Sequence, residues 1–340
     1  LPVTLKDIAR EAQISVTQVS RALGGYNDVN KDTREKVLTI AKKMGYHPNQ
    51  LARQLQSQRT NVIGMVIPSD AVKFSDDYFQ ALILSIGHAI SEYGFYMMFS
   101  TYSDEVSEMA AYRDFVGGKR VDGMILARTR INDQRIQYLK EQNHPFVVQG
   151  RLSANEIEDF SFVDLDNELG IQLLCKHLIE LGHQNLAIIL PPQGLAYTQY
   201  RLDGFFKAMQ SASLHVNKNH IFQGNLTQQS GYEQTKNILE KLPKTTAIVA
   251  CNDLMALGAM NAVQDRGLVV GHDIAVVGFD DVLASQIASP PLTTIHQPID
   301  KTGDLLVEIL VNLIKESPTT HSQILLEPEL IVRRSSVPSI

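Results

Sequence analysis

Apolar positions in the first forty-five residues recur at helical spacing, and in the rest of the chain strand-like runs alternate with helical stripes. Leu5, Ile8, Ala9 and Ala12 fall on one face of a short helix. Val19, Ala22 and Leu23 share a face of a second, and Val37, Ile40, Ala41 and Met44 share a face of a third. The polar residues between them are those that start and stop helices. Thr4, with Asp7 three positions on, forms a capping box. Ser15 caps the second helix and Gly24-Gly25 ends it; Asn30 caps the third and Gly45 stops it. Three short helices around one small core, the first two joined by a tight turn, make a helix-turn-helix head.

From Asn61 onward the pattern changes. Strand candidates are 62–67, 95–100, 123–127, 146–149, 162–164, 185–190, 220–223, 247–251, 274–278 and 292–296. Helical patterns occupy 78–93, 104–117, 132–142, 167–181, 198–212, 228–241, 253–266 and 298–315. Strands alternating with helices predict parallel sheets covered by helices. So many strands predict two sheets, one in each of two lobes. Ligands then bind outside the carboxyl ends of the strands, here between the lobes.

Composition narrows this picture. No apolar run reaches eighteen residues, so no membrane-spanning helix is expected. The start of the chain lacks a charged-then-apolar export segment, so the expected location is the cytoplasm. Cys175 and Cys251 sit in apolar stretches without histidines at ligand spacing; they read as core thiols, and neither a metal nor a cofactor is expected. There is no phosphate-cradling glycine loop, no Gly-x-Ser-x-Gly and no metal-spaced histidine pair, which argues against an enzyme. Residues 1–60 hold ten Lys/Arg against five Asp/Glu, whereas the remainder holds 21 against 32. A basic head on an acidic body predicts that only the head meets a polyanion.

The second helix is the one to lie in a DNA major groove. Its Val16, Thr17, Ser20 and Arg21 are left outward or at the helix start. Arg21 can bind guanine through two hydrogen bonds, and Val16 or Thr17 can touch a thymine methyl. Ser15 and Ser20 suit phosphate contacts.

Five segments, Thr4-Leu-Lys-Asp-Ile-Ala, Val19-Ser-Arg-Ala-Leu, Thr33-Arg-Glu-Lys-Val, Gly45-Tyr-His-Pro-Asn and Leu51-Ala-Arg-Gln-Leu, occur in order. In these the chain resembles the lactose/galactose repressor family. The body segments Asp166-Asn-Glu-Leu-Gly, Ala250-Cys-Asn-Asp-Leu, Val276-Val-Gly-Phe-Asp-Asp and Pro290-Pro-Leu-Thr-Thr-Ile-His-Gln-Pro extend the resemblance over nearly the whole chain. It implies a ligand-responsive regulator, most simply a repressor of sugar-catabolism genes, working as a homodimer on pseudo-palindromic operator DNA. Thr4, Asn30, Tyr46, Asn49, Ala52 and Arg53 join the DNA-facing set. Asn49–Ser57 becomes a hinge helix that folds on the operator, with Leu55 as an apolar wedge in the minor groove; read on its own, Asn49–Gln58 is a helix of marginal length with little apolar surface, expected to be disordered without packing partners, and a plain linker is the other reading.

The resemblance also implies the type I periplasmic-binding-protein fold for the body. The expected divisions are a head at 1–46, hinge and linker at 47–60, and a body at 61–340. The first lobe takes about 61–162 and 296–318, and the second about 163–292 and 322–335, with crossings near 162–165, 290–297 and 317–325. Arg201 and Asp280 are placed in the cleft, with Asn252 and Gln297 as further polar contacts; a structural ion pair is the other reading of the first two. Gly150 stands where several members have an aspartate, Leu226 where they have a stacking aromatic, and Leu254 where they have a polar residue. Ala127-Arg-Thr129 with Gln149-Gly-Arg151 is similar to α-glucoside-type members. Arg128 and Arg151 either enter the cleft or lie on its rim. Phe74, Tyr78 and Phe79 offer a sugar-stacking platform, the last two being equally suited to helix core. The effector is then a sugar, or alternatively a phosphorylated or acidic sugar or a corepressor. Helix 253–266, through residues such as Leu257, is a candidate dimer contact.

Overall fold

The computed structural model describes residues 3–24, 26, 28–46, 59–69, 77–152, 159–316 and 320–337. It divides into two units, Leu1–Arg59 and Thr60–Ile340.

The head consists of α1 (Leu5–Ala12), α2 (Val16–Leu23) and α3 (Lys31–Lys43). Thr4 donates from its backbone nitrogen and from Oγ1 to one oxygen of Asp7, at 3.0 and 2.7 Å. These bonds hold Asp7 below the usual carboxylate range. Ser15 accepts from the Gln18 backbone at 3.1 Å, and Gln18 reaches back to the Ser15 nitrogen at 3.2 Å, a second capping box. Gln13, at a left-handed φ of 56°, turns the chain between α1 and α2. The core is Ile8, Ala9, Ala12, Val19, Ala22, Val37 and Ala41, with Leu5, Leu23, Ile40 and Met44 half-covered around it. Four alanines among seven buried residues let three short helices approach closely.

The body carries a six-stranded sheet in the order β11-β5-β4-β3-β1-β2 and a four-stranded sheet in the order β7-β6-β8-β9. The strands are β1 (Val62–Pro68), β2 (Tyr96–Tyr102), β3 (Gly123–Leu126), β4 (Phe146–Gln149), β5 (Phe162–Leu165), β6 (Leu186–Leu190), β7 (Ile221–Gln223), β8 (Ala247–Ala250), β9 (Ala275–Val277), β10 (Thr294–His296), β11 (Gln323–Leu326) and β12 (Glu329–Ile331). Both large sheets are wholly parallel. The period-two alternation sorts the first sheet's faces. Ile63, Ile125, Val147 and Val163 pack with Leu82, Ile86, Leu306 and Leu310 of helices Asp77–Glu92 and Ile299–Glu316. Met124, Leu126, Phe146, Val148 and Phe162 pack with Tyr112, Phe115, Ile136 and Leu139 of helices Glu105–Gly117 and Gln134–Glu141. Helices on both faces explain the unbroken apolar runs. Helices Asp77–Glu92 and Ile299–Glu316 touch closely at Gly303, where an added Cβ would lie 2.1 Å from Ser85 Oγ.

The lobe division differs from the sequence reading. β5 and β11, expected from 163 and from 322 onward in the second lobe, pair with each other inside the first sheet. Their backbone groups need a ladder: the edge of β4 supplies one for β5, and β5 in turn supplies one for β11. β12 pairs antiparallel with β10, and Thr293 bridges to Val277 of the second sheet. The crossings therefore fall at 165–167, 296–299 and 326–329, a few residues beyond those expected at all three places.

Candidate functional site

The carboxyl ends of both sheets meet at one cleft. From the first lobe come Arg128 and Thr129 after β3, Gln149 and Gly150 at the end of β4, and Asp164 of β5, with Tyr78 and Phe79 from helix Asp77–Glu92. The other lining residues are Asn167, Tyr197, Arg201, Leu226, Asn252, Asp280 and Gln297.

Arg201 is buried and fixed on several sides. Its Nε donates to Asn167 Oδ1 at 2.8 Å and its Nη1 to the Cys251 carbonyl. The guanidinium lies 3.8 Å from the Phe279 ring centroid and 4.6 Å from that of Tyr197, a sandwich that orients it by cation–π attraction. Asp280 accepts from Gln297 Nε2 at 2.6 Å. The structure thus brings the predicted Arg201, Asp280, Asn252 and Gln297 to one cleft. Asn252 also has a structural task, because it caps helix Asp253–Asp265 through the Met255 nitrogen at 3.0 Å and donates to the Leu226 carbonyl at 3.1 Å.

The two undecided arginines separate. Arg128 lines the cleft, its guanidinium 4.6 Å from the centroid of Phe79. Arg151 does not line it; its Nε bonds Asp164 Oδ2 at 2.9 Å and its guanidinium lies 4.3 Å from the Tyr200 centroid. Tyr78 and Phe79 both line the cleft, and Phe79 is at the same time buried with Met65, Ile67 and Ala127.

Sequence reasoning missed Asp164, Asn167, Gln149 and Tyr197 as cleft residues. Asp164 had a readable signal, a lone carboxylate inside the apolar run Phe162-Val-Asp-Leu165. Burial pushes its carboxyl up to about 6, although Arg151 pulls the other way. Asn167 donates to Asp164 Oδ1 at 3.3 Å and so links this pair to Arg201.

Backbone conformation at the cleft is unusual. Arg128, Leu226 and Asp280 have φ of 57°, 70° and 131°, and Gly150 has 111°. Such angles cost residues with a Cβ of order 1–3 kcal/mol and persist only where the surroundings over-determine them. Here they are held: Leu226 by Asn252, and Asp280 by Gln297 and by its neighbour Asp281, which binds Arg333 Nη2 at 2.6 Å and His296 Nδ1 at 3.1 Å.

The lobes also bond directly. The Thr129 carbonyl accepts from the Ala196 nitrogen at 2.9 Å, Ile131 donates to the Gly194 carbonyl at 3.2 Å, and Tyr200 donates to the Leu152 carbonyl at 2.8 Å.

In the head, Val16, Thr17 and Arg21 are exposed and Ser20 is half-exposed. Arg21 is not idle: it grips Asp28 through Nε at 3.3 Å and through Nη2, and sits 4.9 Å from the Tyr26 centroid. Thr4, Ser15 and Asn30 spend their side chains as caps, Asn30 accepting from the Asp32 nitrogen at 3.0 Å. Tyr46 is half-buried against the head core. Asn49, Ala52, Arg53 and Leu55 of the hinge, and Phe74, lie outside the described residues.

Residues 4–49 match the family of bacterial regulatory proteins, lacI family, and residues 175–336 match a periplasmic binding protein-like domain. The HTH-type transcriptional regulator CelR of Thermobifida fusca is 32% identical over 333 residues, which span 98% of this chain and 98% of CelR. The chain belongs to the lacI family of bacterial regulatory proteins. Two solved structures agree with this lacI-family architecture. A transcriptional regulator CelR–cellobiose complex is similar with a TM-score of 0.77 at 31% identity, covering 98% of this chain and 99% of that one. A lac repressor dimer bound to operator and the anti-inducer ONPF is similar with a TM-score of 0.85 at 29% identity, covering 99% and 100%. This lacI-family chain is a ligand-responsive transcriptional regulator and not an enzyme. Among its described residues no helix is long and apolar enough to cross a membrane, and no cluster of three metal-ligating side chains occurs.

Proposed function

We propose that this regulator represses sugar-catabolism genes and leaves its operator when a neutral, hydroxyl-rich sugar occupies the cleft. The observation that carries this reading is the composition of the cleft. Two buried carboxylates, Asp164 and Asp280, stand among the amides of Gln149, Asn167, Asn252 and Gln297 and the guanidiniums of Arg128 and Arg201. Carboxylates repel a phosphate or acid, whereas acceptor and donor side chains interleaved suit neighbouring hydroxyls. Leu226 at the place of a stacking aromatic weighs against a purine. The CelR relative, solved with cellobiose, supports a saccharide.

In this reading Val16, Thr17 and Arg21 read base edges, and Ser15 and Ser20 meet phosphates. Thr4, Asn30 and Tyr46 support that surface, and Asn49–Ser57 forms the hinge with Leu55 as its wedge. Two copies pair to present two heads, as the lac repressor dimer does on its operator. Helix Asp253–Asp265, with the half-buried Leu257, and its neighbour the short helix Leu283–Ile287, whose Leu283 and Ile287 are 69% and 77% exposed, form the dimer contact in this reading. Ile287→Asp should shift the full chain toward monomer in sedimentation equilibrium.

The effector test is a thermal-shift series on the full chain with cellobiose, maltose, glucose 6-phosphate and hypoxanthine, followed by operator release. A neutral saccharide should raise the melting temperature by mass action and release the DNA. Stabilisation by the phosphate or the purine alone, or tighter operator binding with the saccharide, overturns the reading.

A further inference from the structure

We propose that Glu108, Asp133 and Arg135 are positioning residues that set Arg128 in the cleft and hold the backbone bridge between the lobes. Glu108 of helix Glu105–Gly117 and Arg135 of helix Gln134–Glu141 are 1% and 3% exposed. Arg135 engages all five of its N–H donors: Nε to Asp133 Oδ1 at 2.8 Å, Nη1 to Glu108 Oε1 and the Ala127 carbonyl at 3.2 Å each, and Nη2 to Asp133 Oδ2 at 2.6 Å and the Arg128 carbonyl at 3.0 Å. Glu108 also accepts from Nη1 and Nη2 of Arg130, at 2.5 and 3.1 Å. Asp133 Oδ2 accepts from the Arg130 backbone at 3.1 Å.

Four buried or half-buried charges are a poor way to gain stability, because desolvation consumes most of their attraction and apolar replacements often do as well. What this network does produce is a fixed loop. It clamps the carbonyls of two consecutive residues, Ala127 and Arg128, the second of which is left-handed. One residue further, Thr129 and Ile131 make the bonds to Ala196 and Gly194, with Arg130 paired opposite Leu195. A single buried cluster in the first lobe thus governs the direction of a cleft arginine and one side of the contact that joins the lobes. The consequence for effector affinity rests on the cleft being the effector site; the bridge itself is tested without any ligand.

The test is hydrogen–deuterium exchange on the full chain without effector, comparing wild type, Arg135→Met and Arg135→Lys. A lysine keeps the charge but cannot span both carbonyls. The amides of Ile131 and Ala196 should exchange about tenfold faster in both variants, while those of Ile189 and Val249 in the second sheet keep wild-type protection. Wild-type protection at Ile131 and Ala196 in both variants overturns the proposal. So does equal loss across β3, β4 and the bridge, or restoration by lysine, each of which marks a purely structural charge. Should Arg135→Met not fold, Glu108→Gln, which keeps the side-chain shape, is read against the same amides and the same outcomes.

Discussion

Arg151 donates through Nε to Asp164 Oδ2 at 2.9 Å, and burial still pushes the Asp164 carboxyl up to about 6. Desolvation therefore outweighs the paired guanidinium. A carboxyl raised in the folded state binds its proton more tightly there than in the unfolded chain. Its contribution to stability is fully present below about 3.8 and is lost as pH rises through about 6. Asp253 has the same direction for the same cause, so the informative quantity is a difference between proteins. Wild type should gain stability over Asp164→Asn as pH falls from neutral to acid, by on the order of 1–3 kcal/mol. Denaturant unfolding of both proteins at several pH values checks it, and a constant gap counts against the raised carboxyl.

Asp280 is read through its bond to Gln297 at 2.6 Å and its place on the cleft wall. Asp280→Asn keeps size and tolerance of positive φ but removes the charge. Effector affinity should fall about ten- to a hundredfold, as expected for losing charged hydrogen bonds, while the melting temperature changes little. Calorimetric titration with the sugar that passes the thermal-shift series measures this; unchanged affinity would remove Asp280 from the site.

Asp28 holds the arginine expected to read guanine. The pair is solvent-exposed, so it is worth little to the fold, roughly 0–1 kcal/mol. Asp28→Ala should leave head stability nearly unaltered and strengthen binding to duplex DNA of any sequence, with a larger gain at low salt. Fluorescence anisotropy on operator and scrambled duplexes at two salt concentrations would reveal it. Weaker binding would mean that Asp28 instead orients Arg21 for its base.

Gly150 combines two constraints. Its φ is 111°, and an added Cβ would lie 2.5 Å from Thr129 Oγ1. Gly150→Ala should destabilise the body by about 1–3 kcal/mol. Adding Thr129→Ala should recover only the part due to the clash. Full recovery in the double variant would show that the backbone angle carries no cost.

What could be read from the chain was what depends on near neighbours. Thr4 with Asp7, Ser15 and Asn30 mark helix starts within three residues of the groups they bond. The apolar runs of β1, β3, β4 and β8 are legible because helices bury both faces. β11 and β12 escaped notice, since Gln323–Leu326 and Glu329–Ile331 are short and half-exposed, and each finds its partner more than thirty residues away. The same limit applies at the cleft. Arg128 and Arg151 look alike in sequence, and only the far-removed Phe79 and Asp164 decide that one lines the cavity while the other stands beside a lining carboxylate. Arg21 illustrates the converse: its outward position followed from periodicity, but its grip on Asp28 depends on how the chain turns after α2.

The three crossings between the lobes run as a strap and not as a thread. β5 and β11 lie hydrogen-bonded side by side as they leave the first sheet, and β10 and β12 are paired as they meet the second. Pro298 and Pro328 stiffen two of the passages. A single linker would let one lobe spin freely on the other. A strap of paired strands resists twist and sliding, because either motion shears its ladders, and leaves bending across its width as the soft direction. Any change in the angle between the lobes is therefore confined chiefly to one path, bending across the paired strands.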